Sequence, residues 1–219
     1  GVDLDRNALL LCKLRLRRWA GHPVPRLHQQ LRWGNALLGA PLQLTGKELQ
    51  HWVKTNPLRF ALHWQEAFPV PMSRGGFSAI IGNPPWERAK LQEKEFFSVH
   101  APEIGSLPRA SERKAAIKAL EHENPALWKL YQKEKQQVHS FLSHVKNSGL
   151  YPLCGRGDPN LYALFAERNL SLLHPKGAMG LVLPTGIATD RTHSHFIQAL
   201  LRGKRLKSIY AFDHRSRHF

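Results

Sequence analysis

The sequence predicts an α/β fold with a parallel sheet, interrupted by a helical insertion. Residues 77–81 form a short, nearly all-apolar run, which is typical of a strand buried on both faces of a parallel sheet. Amphipathic helical segments alternate with such short apolar runs along the chain. Residues 87–150 break this alternation with a long, highly charged stretch. With 219 residues, the chain is long enough for one α/β domain with a full core.

The N-terminal part predicts a strand end, a helix and a second strand. Residues 1–5 are expected to lie at the end of a strand, and Asp5 precedes a helix over residues 6–20 as its N-cap. Gly21 ends this helix. Its expected buried face consists of Leu9, Cys12, Leu16 and Trp19.

The next segment leads to the central strand. Residues 31–33 are a short predicted strand, and Thr45 is the predicted N-cap of a helix that runs to about Lys54. The aromatic residues of 60–68 follow, and Pro69-Val70-Pro71 is expected to link them to the strand at 77–81.

Residues 87–150 predict two helices, at about 109–123 and 125–147, the second starting after Asn124-Pro125. Because apolar residues are sparse among the Lys, Glu and Gln residues, these helices are expected to lie at the surface rather than to form a second core. Two interpretations remain open: a lid or DNA-facing arm, or a solvated helical decoration. The arm would contact phosphates through Arg88, Lys90, Arg109, Arg113 and Lys114.

The C-terminal part returns to the alternating pattern. Asp158-Pro159 is expected to cap a helix over 160–173, whose buried face would be Leu161, Leu164, Phe165 and Leu172. A helix near 193–202 and a strand over 206–212 follow. His193 and His195 lack the carboxylate and cysteine neighbours of a metal site, so they are expected to be structural or surface residues, and no metal is predicted.

Asn83-Pro84-Pro85-Trp86 forms a rigid corner at the carboxyl end of the central strand. Neither proline can donate to a ladder, and each restricts the residue before it. Ligands bind at such strand ends in open α/β sheets. An Asn83 side-chain oxygen and the Pro84 carbonyl suit the exocyclic amino group of a nucleobase, which becomes more nucleophilic when both of its hydrogens are bound. Trp86 suits stacking on a base rotated out of a duplex. The alternative is a Pro-Pro turn with Trp86 in the core.

Composition and charge narrow the class of partner. A formal charge of +16 favours a polyanion, most simply nucleic acid, although solubility or an acidic protein partner remain alternatives. The two cysteines, Cys12 and Cys154, form no disulfide framework, so a reducing cytoplasm is expected. No apolar run approaches the length of a membrane span.

Several segments in order resemble the adenine-specific DNA methyltransferases of bacterial restriction–modification systems, especially the large type II and fused type IIG enzymes. The resemblance rests on 1–5, Gly34-Asn35-Ala36-Leu37-Leu38, Asn83–Trp86, 158–165 and 177–184. It implies a Rossmann-like sheet, S-adenosylmethionine (SAM) as cofactor, and double-stranded DNA with a flipped adenine as partner. A fused or associated restriction or specificity module is a further expectation.

The resemblance also assigns roles to individual residues. Asp3 is expected to bind the ribose hydroxyls of SAM, Asn35 its adenine ring (the alternative being a turn residue), and Asn83 to lie at the junction of cofactor and target. Asn83, Pro84, Pro85 and Trp86 are the expected catalytic group. Ser78 departs from the family, which usually has an acid there.

The resemblance further predicts that the sheet is incomplete at its N-terminal edge. The family's first strand and glycine-rich turn, and its target-recognition region, have no counterpart in residues 1–219. The chain is therefore expected to be a fragment that binds SAM weakly and is inactive by itself. Two rivals stand beside this: the same chemistry on protein or RNA, and a non-catalytic nucleic-acid-binding remnant.

Overall fold

The computed structural model describes residues 1–56, 58 and 60–212. Its secondary structure contains four short or medium strands and many helices. The strands are β1 (Val2–Asp3), β2 (Arg32–Trp33), β3 (Phe77–Gly82) and β4 (Leu173–Leu181). The helices are α1 (Arg6–Ala20), α2 (Leu27–Gln30), α3 (Gly46–Thr55), α4 (Trp64–Ala67), α5 (Pro69–Ser73), α6 (Glu93–His100), α7 (Pro102–Gly105), α8 (Ala110–Glu123), α9 (Pro125–Asn147), α10 (Leu161–Leu172), α11 (Gly186–Thr189) and α12 (Ser194–Arg202), with a 3₁₀ turn at Arg191–His193.

The chain divides into two compact units. One consists of residues 1–87 and the residues from Ser148 onward, and the other consists of Arg88–Asn147. The first unit carries all four strands, and the second is helical. Among the helices that the structure describes, none is both long and apolar enough to cross a membrane.

The strands form two separate parallel pairs. β1 pairs with β2, with Asp3 opposite Trp33, and β3 pairs with β4. The β3–β4 ladder shifts register between Phe77 and Ala79 and then runs regularly to Gly82 opposite Leu181. An α/β architecture with parallel strands was predicted and is present. In the described part of the chain, these pairs do not join into one Rossmann-like sheet.

A hydrophobic cluster connects residues from both strand pairs. Leu62, Trp64 and Leu172 are buried at its centre, and Val2 of β1 and Phe77 of β3 pack against it. The rings of Trp64 and Phe77 meet edge to face, with centroids 5.9 Å apart. This cluster fixes the two strand pairs within one core.

Helix α10 is buried on almost every side, which is more than the predicted single apolar face. Tyr162, Ala166, Glu167 and Arg168 are buried in addition to Leu164 and Leu172, whereas the predicted core residues Leu161 and Phe165 are only half-buried. A helix surrounded by protein in this way does not show one-sided amphipathicity. Its N-cap position is Asn160 rather than Asp158.

Several local signals in the sequence were read correctly. Asp5 caps α1 by accepting a hydrogen bond from the Asn7 amide at 2.8 Å, and Gly21 ends the helix in the left-handed conformation with φ of 69°. Thr45 is at the N-cap position of α3. The Pro69-Val70-Pro71 segment, which was expected to be a linker, belongs to the short helix α5. Pro69 is the first residue of this helix, where a missing amide hydrogen costs little.

Predictions of burial fared worse than predictions of helices. In α1, only Leu9 of the expected face is buried, and Trp19 is 89% exposed, because β1 and β2 have two residues each and offer little surface for packing. Strand β3 is also not covered on both faces, since Ile81 is 88% exposed beside a single partner strand. Residues 206–212 form no strand.

The helical unit Arg88–Asn147 has a core of its own, so the prediction of surface helices without a second core was wrong. Helices α8 and α9 occur within a residue of the predicted bounds. Their sparse apolar residues converge with those of α6 and α7 in one cluster, whose buried members are Phe97, Ala101, Ile104, Ile117, Leu120 and Tyr131. The Tyr131 hydroxyl donates to Glu93 at 2.7 Å within this unit.

Candidate functional site

Strand β3 delivers the chain to an open corner at its carboxyl end. The ladder with β4 extends past the strand, because the Val182 amide donates to the Gly82 carbonyl at 3.0 Å. Pro84 is buried, while Asn83, Pro85 and Trp86 are exposed. Trp86 retains 52% of its surface, so it does not serve as a core residue. The corner thus presents an amide side chain and an aromatic ring at the surface.

Asn83 and Trp86 contact each other directly. The indole nitrogen of Trp86 donates a hydrogen bond to Asn83 Oδ1 at 2.9 Å. The oxygen that the sequence marks as an acceptor for a substrate amino group therefore already accepts one N–H group. Because this oxygen has two lone pairs, an amino group that approaches Asn83 can either join the indole at this oxygen or replace it.

The start of α10 is hydrogen-bonded to the residue that follows the corner. The Leu161 amide donates to the Glu87 carbonyl at 2.9 Å, one residue after Trp86. The neighbouring residues, Asn160 and Tyr162, meet His193: the Tyr162 hydroxyl lies 3.0 Å and the Asn160 amide nitrogen 3.5 Å from His193 Nε2. Sequence reasoning treated His193 as structural or surface and missed this network, for which Asn160 beside Asp158-Pro159 was the only local signal.

The His193 side chain is buried, and its surroundings favour the neutral imidazole. Burial lowers the pKa of its imidazole, and the nearby Asp190 carboxylate opposes this effect only in part. Its Nδ1 atom is buried without a hydrogen-bond partner among the described residues. The histidine thus ties the Arg191–His193 turn to α10 without adding a charge next to the corner.

Asp3 and Asn35 lie at the carboxyl ends of the other strand pair. Since β1 and β2 are parallel, both residues come to the same edge of the pair, and the Gly34 amide donates to the Asp3 carbonyl at 3.0 Å. Asp3 is exposed, and its Oδ1 accepts from the Asp5 amide at 2.8 Å. Asn35 Oδ1 accepts from the Leu37 amide at 3.0 Å, which is a turn contact.

A buried polar layer holds the loop that follows Asn35. The Tyr151 hydroxyl donates to the Leu37 carbonyl, and burial raises the pKa of this phenol. Glu167 accepts from the amides of Leu153 and Cys154 at 2.9 and 2.7 Å. Burial raises the pKa of the Glu167 carboxyl, although these two backbone hydrogen bonds act against it. Beyond the helical pattern of α10, no sequence signal indicates this layer.

Arg168, next in the chain, is almost completely buried. Its Nε and Nη2 atoms have no hydrogen-bond partner in the described part of the chain, and burial lowers the pKa of its guanidinium. Nη2 lies 3.8 Å from the position that a Cβ atom would take at Gly39. Arg168 therefore packs beneath the same loop as Tyr151.

Comparisons with known proteins place this arrangement in a family. No curated protein and no solved structure matches the chain. The family model described as the Eco57I restriction-modification methylase matches residues 1–112, slightly more than half of the chain. The matched region contains Asp3, Asn35 and the Asn83–Trp86 corner. The chain therefore belongs to the Eco57I restriction-modification methylase family.

Proposed function

We propose that this chain carries the catalytic corner of an enzyme that transfers a methyl group from SAM to the exocyclic amino group of adenine in double-stranded DNA. The observation that carries the proposal is the open corner, where the Asn83 acceptor and the half-exposed ring of Trp86 stand together at the end of β3. Membership of a restriction-modification methylase family supports methyl transfer and a DNA substrate.

The chemistry of the target explains why these groups are suitable. The lone pair of an aromatic amino nitrogen is delocalised into the ring, so the nitrogen is a poor nucleophile. If Asn83 Oδ1 and the Pro84 carbonyl each accept one of its hydrogens, the nitrogen approaches tetrahedral geometry. These acceptors also stabilise the positive charge that develops during transfer. In this proposal, the target amino group displaces the Trp86 indole from Asn83.

Trp86 has a second role in the proposal. Released from Asn83, its ring stacks on the flipped adenine and offsets the few kcal/mol that unstacking of the base costs. Pro84 and Pro85 fix the backbone of the corner, so that the acceptors are in place before the base arrives. The basic charge of the chain, +16, supports binding of the surrounding DNA through its phosphates.

The chain's own residues fit the cofactor at the carboxyl ends of β1 and β2. The exposed Asp3 carboxylate suits ribose hydroxyls, since among the described residues only its Oδ1 is engaged, by one backbone amide. The turn contact of Asn35 Oδ1 fixes that side chain and leaves its amide nitrogen as a donor for an adenine ring. Bound there, SAM supplies the electrophilic methyl group. A fused or associated restriction or specificity module is part of the same proposal.

Asn83→Ala tests the proposal. Loss of a preorganised polar group from a reacting centre lowers rates by about 100-fold or more, so single-turnover transfer by the intact enzyme from labelled SAM to adenine-containing DNA should fall by that factor. DNA affinity should stay near normal. Asn83→Asp should be milder, because a carboxylate still accepts the amino hydrogen.

Asn147→Ala is the matched control, because Asn147 is an exposed asparagine at the end of α9. It should leave transfer unchanged. If Asn83→Ala transfers at the wild-type rate, the corner is only a turn and the proposed mechanism is wrong. If wild-type protein binds DNA but never methylates it, with SAM bound, the chain is a nucleic-acid-binding protein without this activity.

A further inference from the structure

Helix α1 has an apolar face that the fold leaves exposed. The helix packs through Leu9, while Leu10, Leu11 and Leu14 are 56%, 57% and 52% exposed. Residues three and four apart are neighbours on a helix surface, so Leu14 adjoins both Leu10 and Leu11. These three side chains, which we call the α1 leucine patch, form one continuous surface on the side away from Leu9.

Three arginines continue this surface towards the end of the helix. Arg17 follows Leu14 by three positions, Arg18 follows it by four, and Arg15 follows Leu11 by four, so all three adjoin the patch. All three are exposed, and residues 6–20 contain no aspartate or glutamate. The face is therefore apolar in its middle turns and strongly basic in its last turn.

This arrangement is poorly suited to three other kinds of partner. Two copies of the face would oppose arginine to arginine, in chains that each carry a formal charge of +16. DNA would neutralise the arginines but leave the leucines without an apolar contact. A bilayer would take up the leucines, but Arg18 lies on the same row as Leu11 and Leu14 and would have to extend its guanidinium back to the headgroups.

We propose that the outer face of α1 docks an acidic amphipathic helix of a partner protein. The partner helix places apolar side chains one turn apart against the α1 leucine patch, and places aspartate or glutamate one turn further on, opposite Arg15, Arg17 and Arg18. Burial of the leucines supplies affinity, and the charged turn fixes the direction and register of the partner. This surface is independent of the proposed methyl transfer.

The probe is a fluorescent, helix-stapled peptide with this pattern, titrated with the 219-residue chain and followed by anisotropy. A second peptide carries lysine in place of each acidic residue. The acidic peptide should bind, and the lysine peptide should bind at least about tenfold more weakly. Leu10→Gln with Leu14→Gln should weaken binding of the acidic peptide about tenfold or more, the scale for loss of central contacts in an interface.

Charge reversal and a matched leucine complete the design. Arg17→Glu with Arg18→Glu should reverse the preference and favour the lysine peptide. Leu201→Gln, at a leucine of α12 that is 58% exposed, should bind like the wild type. Because all the substituted side chains are exposed, circular dichroism should show an unchanged fold. The proposal is overturned if the acidic peptide does not bind, if Leu201→Gln weakens binding equally, or if Leu10→Gln with Leu14→Gln instead abolishes binding to anionic vesicles or duplex DNA.

Discussion

At the scale of single residues, Trp86 and Asn83 form a pair that fits both the structure and the proposed chemistry. The indole nitrogen of Trp86 lies 2.9 Å from Asn83 Oδ1. In the proposed mechanism, the amino group of the substrate donates to the same oxygen. The pair keeps a polar acceptor satisfied at an exposed corner, and in the proposed mechanism an incoming base would exchange one N–H donor for another. Release of the Trp86 indole from Asn83 is therefore expected to cost little hydrogen-bonding free energy.

Substitutions of Trp86 separate its ring from its N–H group. Trp86→Ala should weaken capture of an extrahelical adenine by about 1–3 kcal/mol, the contribution of base stacking. Trp86→Phe keeps a ring for stacking and frees Asn83 Oδ1, so capture should stay within a few-fold of the wild type or improve. Affinity for DNA with an unpaired target adenine measures this difference, and intact duplex with the same sequence is the control for backbone binding.

The Phe variant also decides which property of Trp86 is used. If Trp86→Phe is as defective as Trp86→Ala, the indole N–H matters more than the stacking surface.

The turn at this corner was predictable from sequence, since a Pro-Pro pair after an apolar strand forces a turn. The indole–amide contact was not, because it depends on a rotamer of Trp86 that no sequence pattern specifies.

At the scale of elements, α10 joins the corner to the buried polar layer. At its start, the Leu161 amide donates to the Glu87 carbonyl, and the Tyr162 hydroxyl forms a hydrogen bond with His193 Nε2. In its middle, the Glu167 carboxylate accepts from the amides of Leu153 and Cys154. The ends of α8, α9 and α10 were predicted closely because proline, asparagine and charge patterns are local signals. Polar burial within α10 depends on what surrounds the helix, and local patterns carry no information about that.

Glu167→Ala should destabilise the protein by about 1–3 kcal/mol, since it leaves the amides of half-buried Leu153 and buried Cys154 without their acceptor. Glu167→Gln should cost less, because its amide oxygen still accepts one of these bonds. Chemical denaturation followed by circular dichroism gives both free energies of unfolding. Glu121→Ala, on the helix α8 of the other unit, is a glutamate control at an exposed site. Equal stability of wild type and Glu167→Ala would contradict a structural role for the layer.

His193 should make stability depend on pH. Burial beside Tyr162 and Asn160 lowers its pKa in the folded protein more than the Asp190 carboxylate raises it, so the unfolded chain binds a proton more readily than the folded one. Stability should therefore fall as the pH falls through about 6.5, the pKa of an unfolded histidine. The measurement is the difference in unfolding free energy between wild type and His193→Gln across this range.

This difference should move against the wild type at low pH, because glutamine does not titrate. His195→Gln is the matched control, since His195 is an exposed histidine two residues away. Its difference from wild type should stay flat. If the His193→Gln difference is also flat, the histidine is not held neutral by its surroundings.

At the scale of the whole molecule, strand pairing and burial were the least predictable features. Ile81 and Trp19 have the sequence patterns of core residues, yet both are exposed because neighbouring elements determine whether an apolar face is covered. The cluster around Phe97 and Tyr131 shows the reverse case, in which sparse apolar residues from four helices converge over long distances in sequence. The helical unit thus has a packed core beneath its charged surface.

The basic charge of the chain leads to a prediction about DNA binding. The logarithm of DNA affinity should fall with the logarithm of salt concentration, with a slope of about 0.9 per phosphate neutralised. A salt-insensitive complex would show that the +16 charge is not used for DNA. The slope also separates the two interpretations of residues 87–150 that the sequence left open, a DNA-facing arm or a solvated decoration.

Substitution of Lys114, which is exposed on α8, distinguishes the DNA-facing arm from the solvated decoration. Arg113 is unsuitable, since its Nη1 donates to the Leu107 carbonyl at 3.1 Å and its loss would disturb packing. If the helical unit contacts DNA there, Lys114→Gln should lower the slope by about 0.9 and weaken binding equally for all sequences. Lys47→Gln on α3 is the matched exposed lysine in the strand-containing unit. A slope that Lys114→Gln leaves unchanged, in fluorescence titrations over a salt series, would favour the decoration.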